Sequence, residues 1–186
     1  MRNHRIITNN CLITLCSAPL ALYASAGYAT VYFNVTQAQA AVAPGVLFST
    51  QPKTLTDAER KAISKASGVA VRENALKLWR GSDGSFFWVD QVLGKHEFIT
   101  YALLLSADGA VKALEVMEYK ETYGDQIRNT KWRAHFTGKR TGAALKLDSD
   151  IKNISGATLS CKHISDGVKR ILATQAVLAG ELATHG

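Results

Sequence analysis

Glu97-Phe98-Ile99-Thr100-Tyr101-Ala102-Leu103-Leu104-Leu105-Ser106, then Ala107-Asp108-Gly109, then Ala110-Val111-Lys112-Ala113-Leu114-Glu115-Val116-Met117-Glu118-Tyr119: this stretch decides the fold. Two runs suited to β-strands flank a short turn containing Asp-Gly, the pattern of a hairpin. Upstream, Leu76 to Arg80 and Ser85 to Val92 repeat it, with Ser82-Asp83-Gly84 and Gly94-Lys95 as the intervening turns. Four strands joined by short turns form an antiparallel meander. Tyr101-Ala102-Leu103-Leu104-Leu105 lacks the alternation of a half-solvated strand, so the third strand is expected to be buried on both faces.

Helices are expected on either side of this sheet. Val35 to Val42 is rich in Ala and Gln and stops at Pro44-Gly45, which predicts a short helix ended by a turn. Thr56 stands three residues before Glu59, the spacing of a capping box, and Ser67-Gly68 supplies a stop, so a helix is placed from Asp57 to Ala66. Asn129 to Thr137 reads as a short helix with Trp132 and Phe136 on one side. The final unit starts at Lys146, passes through a β-like run from Asp150 to Ile154, and ends in a helix from Lys162 to Leu182. Ile164, Val168, Ile171, Leu172 and Leu178 form the apolar stripe of that helix. The fold class is therefore α+β, an antiparallel meander packed against helices.

The amino terminus follows a different plan. Arg2 and Arg5 precede an uncharged, small and apolar run from Cys11 to Ala26, with cleavage-like sites at Ala24-Ser25-Ala26 and Gly27-Tyr28-Ala29. Residues 1–29 read as a signal peptide cut near residue 26 or 29, leaving one domain over 30–186. An uncleaved anchor is the alternative, and it too would put the domain on the outer side of a membrane; neither Cys11 nor Cys16 has a lipoprotein context. Of 186 residues, 47% are hydrophobic and 20% charged, which suits a single globular core. Without the leader, 20 Lys and Arg face 15 Asp and Glu, a net charge of +5. No basic run interleaved with aromatics speaks for nucleic acid, so the charge favours phosphate-bearing ligands, acidic partners or a membrane surface. Of three cysteines only Cys161 remains in the mature chain, so no internal disulfide can form.

Chemistry concentrates in Ile154-Ser155-Gly156-Ala157-Thr158-Leu159-Ser160. Small residues leave room for a ligand, Gly156 permits dihedrals closed to other residues, Thr158 presents a hydroxyl, and a helix amino terminus beside it suits a phosphate. Taken alone, the same run also serves as an ordinary turn and cap. Cys161 with His163 has metal-like spacing, but two ligands do not make a zinc site. CxxCH, GxSxG, HExxH and GxxxxGK[ST] are absent from the sequence, which argues against c-type haem, common hydrolases and nucleoside triphosphatases.

Ser155-Gly156-Ala157-Thr158 followed by Leu159-Ser160 resembles the flavinylation motif of the FMN-binding domain family. That family includes the C subunit of the sodium-pumping NADH:quinone reductase and the G subunit of the Rnf complex. Upstream, Glu121-Thr122-Tyr123-Gly124, with Ile127, Trp132 and Phe136 beyond it, is similar to the family's ETPG segment. Two positions depart from the pattern: Lys152 stands where the family has an acid, with Asp150 two residues earlier, and Tyr123 replaces the proline. The resemblance implies FMN carried in phosphodiester linkage on Thr158 and delivered from FAD by a flavin transferase. It also implies flavin contacts from Glu121 and Thr122 and a membrane redox protein as partner. Lys152, Lys162 and His163 are candidate basic groups near the ring, and Trp132 is either a stacking partner or core. An exported, periplasmic electron carrier is the reading favoured. A flavin-dependent reductase of a small substrate, which would need an open cavity against the ring, and a binding module without cofactor are its rivals.

Overall fold

The structure is a computed structural model that describes residues 30–184 apart from Thr122. The leader expected over residues 1–29 lies outside the described residues. Four long strands form the centre: β4 (Ala75–Gly81), β5 (Phe86–Leu93), β6 (Phe98–Leu105) and β7 (Val111–Tyr119). They pair in sequence order as antiparallel neighbours, which is the expected meander. Three short strands extend it. β1 (Thr30–Val31) pairs with β7, and both β2 (Phe48–Thr50) and β3 (Lys53–Thr54) pair with β4, giving the order β1-β7-β6-β5-β4-β2 with β3 also on β4. Every residue from Tyr101 to Leu105 is buried, because the sheet is covered on both faces.

One face is covered by α1 (Val35–Val42), whose Ala38 packs with Phe87, Val89, Ala102, Leu104 and Met117. The other carries the larger core, beneath α2 (Asp57–Ser67) and α4 (Thr158–Val177). Both early helices are set by local chemistry. At α1, Asn34 and Gln37 cap each other, and at α2 Thr56 and Glu59 do the same. Gly68 closes α2 in the left-handed conformation, φ 70°.

Helix α4 lies close to the sheet at Gly167, where any Cβ would collide with the Tyr101 hydroxyl and, at 2.8 Å, with Val92. One turn on, Arg170 Nη2 donates to Asp90 Oδ2 at 2.6 Å, and the Tyr101 hydroxyl donates to the same oxygen at 3.0 Å. These contacts fix where the amino terminus of α4 falls.

Three expectations are corrected. The run Asp150 to Ile154 is not a strand; only Ile151 bridges, to Leu147, and the segment is a tight turn in which Asp150 Oδ2 accepts from Lys146 N. The segment Asn129 to Thr137 is not one helix but a 3₁₀ turn at 125–128, the short α3 (Thr130–Arg133) and a second 3₁₀ turn at 134–136. The last helix begins at Thr158, four residues before the expected Lys162, and breaks at Leu178 before α5 (Ala179–Thr184). Among the described residues no helix is long and apolar enough to cross a membrane.

Candidate functional site

Thr158 is the first residue of a 20-residue helix, not part of the turn before it. Gly156 makes that start possible. At φ 82° it turns the chain in the left-handed region, with open space on the side where a Cβ would stand, and Ala157 N donates to Ile154 O at 2.9 Å to close the turn. The helix begins with Cys161 N donating to Ala157 O at 2.9 Å. Ala157 occupies the capping position and has no polar side chain to cap with, so the first amides of α4 have no side-chain acceptor among the described residues. Ser155, Gly156, Thr158 and Leu159 are exposed, whereas Ala157 and Ser160 are buried. The Thr158 hydroxyl makes no hydrogen bond with the described residues. It lies exposed at the positive end of a long helix.

The loop after β7 docks on this start. Gly124, at φ 97°, lies so close to Ala157 that a Cβ there would come within 2.9 Å of the Ala157 Cβ and 2.6 Å of the Tyr119 hydroxyl. Tyr119, the last residue of β7, joins the two segments: its hydroxyl donates to Tyr123 O at 2.5 Å and lies 3.4 Å from Ser160 Oγ. Because the phenol's single proton goes to the carbonyl, Ser160 is the donor in the second contact. Burial raises the Tyr119 phenol above its ordinary pKa, which keeps that proton in place. Sequence reasoning did not single out Tyr119; its position at the end of the fourth strand, directly before the Glu121 loop, was the available signal.

Glu121 holds the neighbouring hairpin. Its Oε1 accepts from His96 N at 2.6 Å and Glu97 N at 3.1 Å, and Gly94 leaves the space that this carboxylate occupies. Burial pushes the Glu121 carboxyl up, but the amides of His96, Glu97 and Lys95 outweigh it and leave the pKa lowered. Thr122 lies outside the described residues. The β5–β6 turn, the loop after β7 and the start of α4 therefore meet at one end of the sheet.

Residues 94–173 match the family model described as the FMN-binding domain. This segment belongs to the FMN-binding domain family. It runs from the hairpin turn that Glu121 holds to the last turns of α4, so the three loops brought together are all inside it. FMN is the cofactor of this domain, and the domain binds flavin. No curated protein matches the chain.

The residues present fit that group. An anionic phosphate suits the uncapped amides of α4 and the hydroxyls of Thr158 and Ser155. Exposed apolar side chains, Leu159 and Tyr123, flank the start of the helix and suit a ring system.

The other candidates fall as follows. Trp132 is core: it is 4% exposed, packs edge-on to Phe136 with centroids 5.3 Å apart, and donates from Nε1 to Lys152 O at 2.7 Å. Through that bond it holds the chain that leads into the motif. Lys152 itself is exposed, and Lys162 pairs with Asp166 at 2.8 Å. His163 donates from Nδ1 to Leu93 O, tying α4 to the end of β5. Cys161 is fully buried and burial raises its thiol pKa, the setting of an inert side chain.

Proposed function

We propose that this protein is an exported electron carrier whose FMN is joined through its phosphate to Thr158, and that it passes electrons between a membrane redox protein and a periplasmic carrier or acceptor. The observation that carries the reading is the exposed Thr158 hydroxyl, without a hydrogen bond among the described residues, on the first turn of a 20-residue helix whose capping residue makes no side-chain bond. A nucleophilic hydroxyl and a phosphate-binding helix end are what a phosphoryl-transfer acceptor needs, and here they coincide. In the maturation step a transferase uses FAD: the bond between threonine oxygen and the FMN phosphorus forms, the pyrophosphate bond breaks, and AMP leaves while the hydroxyl proton goes to solvent.

Bound FMN supplies one- and two-electron transfer, and the polypeptide positions it and tunes its potential. Gly124 against Ala157, and Tyr119 against both Tyr123 and Ser160, hold the site's loops in one arrangement. A covalent link also explains how a polar, diffusible cofactor would be retained outside the cytoplasm. The leader-like residues 1–29 and the basic charge support export and contact with acidic partners or membranes.

Intact mass of the chain coexpressed with a periplasmic flavin transferase tests the proposal. The expected gain is one FMN less one water, located by fragmentation on Thr158. An unmodified mass, with no yellow colour retained through gel filtration, would refute covalent attachment and favour a module that works without it.

A further inference from the structure

Among the described residues seven large apolar side chains are exposed, and five of them lie at one end of the sheet. Val31, 64% exposed, pairs with Glu118, next to the pairing of Thr30 with Tyr119. Phe98, 50% exposed, stands opposite the exposed Leu93 at the end of the β5–β6 ladder, beside the pairing of Ile99 with Tyr119. Tyr123, 81% exposed, accepts from the Tyr119 hydroxyl at its carbonyl, and the exposed Leu159 precedes Ser160, which touches that hydroxyl. Side chains from β1, the β5–β6 hairpin, the loop after β7 and the start of α4 thus surround the end of β7. The other two are remote. Leu47 is bonded through its amide to Ser82, in the turn at the opposite end of β4 and β5. Val177 closes α4, about 28 Å along the helix axis from Thr158. Exposed apolar surface gathered at one place marks a site of interaction.

Charge does not select an acidic partner for it. Lys120 pairs with Glu118 at 3.3 Å and Lys162 with Asp166 at 2.8 Å. Lys95 and Lys152 are exposed, but so are Glu97 and Asp125. Cations and acids offset each other here, so the attraction this end offers is hydrophobic. The path of the chain identifies the apolar phase. β1 is antiparallel to β7 with Thr30 opposite Tyr119, so the chain reaches Thr30 from the side of the loop after β7. In the sequence, the uncharged leader-like run ends at Ala26, four residues before Thr30, a stretch that can span at most about 14 Å. A domain delivered through a membrane by that leader emerges with this end nearest the lipid.

We propose that this end of the sheet rests on a lipid bilayer, with Val31, Leu93, Phe98, Tyr123 and Leu159 entering the boundary between headgroups and acyl chains. Tyrosine suits that boundary, and the stems of Lys95 and Lys162 are long enough to keep their ammonium groups in water. The contact rests on the export reading of residues 1–29 and needs no flavin on Thr158. It turns the flavin anchor toward the membrane that would house the redox partner.

The test uses the full, flavin-free chain with its leader, carrying Cys11→Ser and Cys16→Ser, while Cys161 is buried. One cysteine is added by Phe98→Cys, Leu159→Cys or Leu47→Cys and labelled with nitrobenzoxadiazole. With phosphatidylcholine vesicles, the dyes at 98 and 159 should shift to the blue and be quenched by nitroxide-bearing acyl chains, in low and high salt alike. The dye at 47 should do neither. Dyes at 98 and 159 that stay unquenched, equal quenching at all three positions, or quenching that needs phosphatidylglycerol and is lost in high salt would overturn the proposal. So would a blue shift at 98 and 159 that appears without vesicles and grows with protein concentration, since a second copy of the chain would then cover the patch. No FMN is attached in this experiment, so failure at Thr158 leaves its result unchanged.

Discussion

Helices α2 and α4 both open at a threonine on the same face of the sheet, and the two threonines do opposite things. Thr56 closes its helix: its Oγ1 accepts from Glu59 N at 3.3 Å, and Glu59 Oε2 accepts in return from Thr56 N at 2.7 Å. Thr158 sits one position further in, past a capping alanine, and its hydroxyl bonds to nothing among the described residues. The difference lies in what occupies the capping position. At α2 it is a polar side chain in extended conformation, whereas at α4 it is Ala157, with φ −124° and ψ 21°, whose methyl is packed against Gly124. A polar cap would serve the helix; the close loop contact excludes a larger side chain and leaves the amides for a ligand.

The sharpest break of this contrast is Thr158→Ala. Covalent flavin should be lost essentially completely, while denaturant titration should move by no more than about 0.5 kcal/mol, because the exposed hydroxyl has no hydrogen bond among the described residues. A variant that keeps its flavin load would refute the assigned residue. Next is Gly124→Ala. A methyl at φ 97° that meets the Tyr119 hydroxyl at 2.6 Å should cost about 1–3 kcal/mol. It should also lower flavin loading by parting the two loops, as measured by absorbance per protein. Thr56→Ala is the reciprocal of the first change: about 1 kcal/mol of stability lost with flavin loading unchanged.

The smallest effect concerns acid. Bonds from the Thr56 amide, Lys53 and the Thr56 hydroxyl lower the Glu59 pKa from 4.5 to about 2. A carboxylate depressed on folding stabilises the native state above its unfolded pKa. That contribution is lost as pH falls from 4.5 toward 2. Denaturation midpoints over this window should fall less steeply in Glu59→Gln than in the parent chain. Equal slopes would mean that the α2 cap does not depend on the ionised carboxylate.

Legibility in the sequence followed the range of the interactions. The start of α2 was readable because its cap involves residues three apart, and the central strands because β-rich runs and the short turns between them are local signals. β1, β2 and β3 are two or three residues long and exist only because β7 and β4 have open edges beside them. The start of α4 was placed late because the one large apolar residue of its first turn, Leu159, is exposed and lies off the buried stripe that runs from Ile164 on. Within the site, the motif and its threonine were visible as a string. The Tyr119 contact with Ser160 spans 41 residues, and the Glu121 bond to His96 spans 25, so neither could be read from spacing.

By itself the sequence determined the α+β class, the meander, the two early helices with the cap of the second, and the small-residue run that resembles a flavin-bearing motif, all through interactions between near neighbours. Only the tertiary structure decided which groups are free to act. It left the Thr158 hydroxyl without a partner among the described residues, committed Glu121 to a hairpin, buried Trp132 and Cys161, and opened a groove beside α4. The physical reason is that hydrogen-bond satisfaction and burial depend on which distant segments meet, and that is settled when α4 packs on the sheet at Gly167.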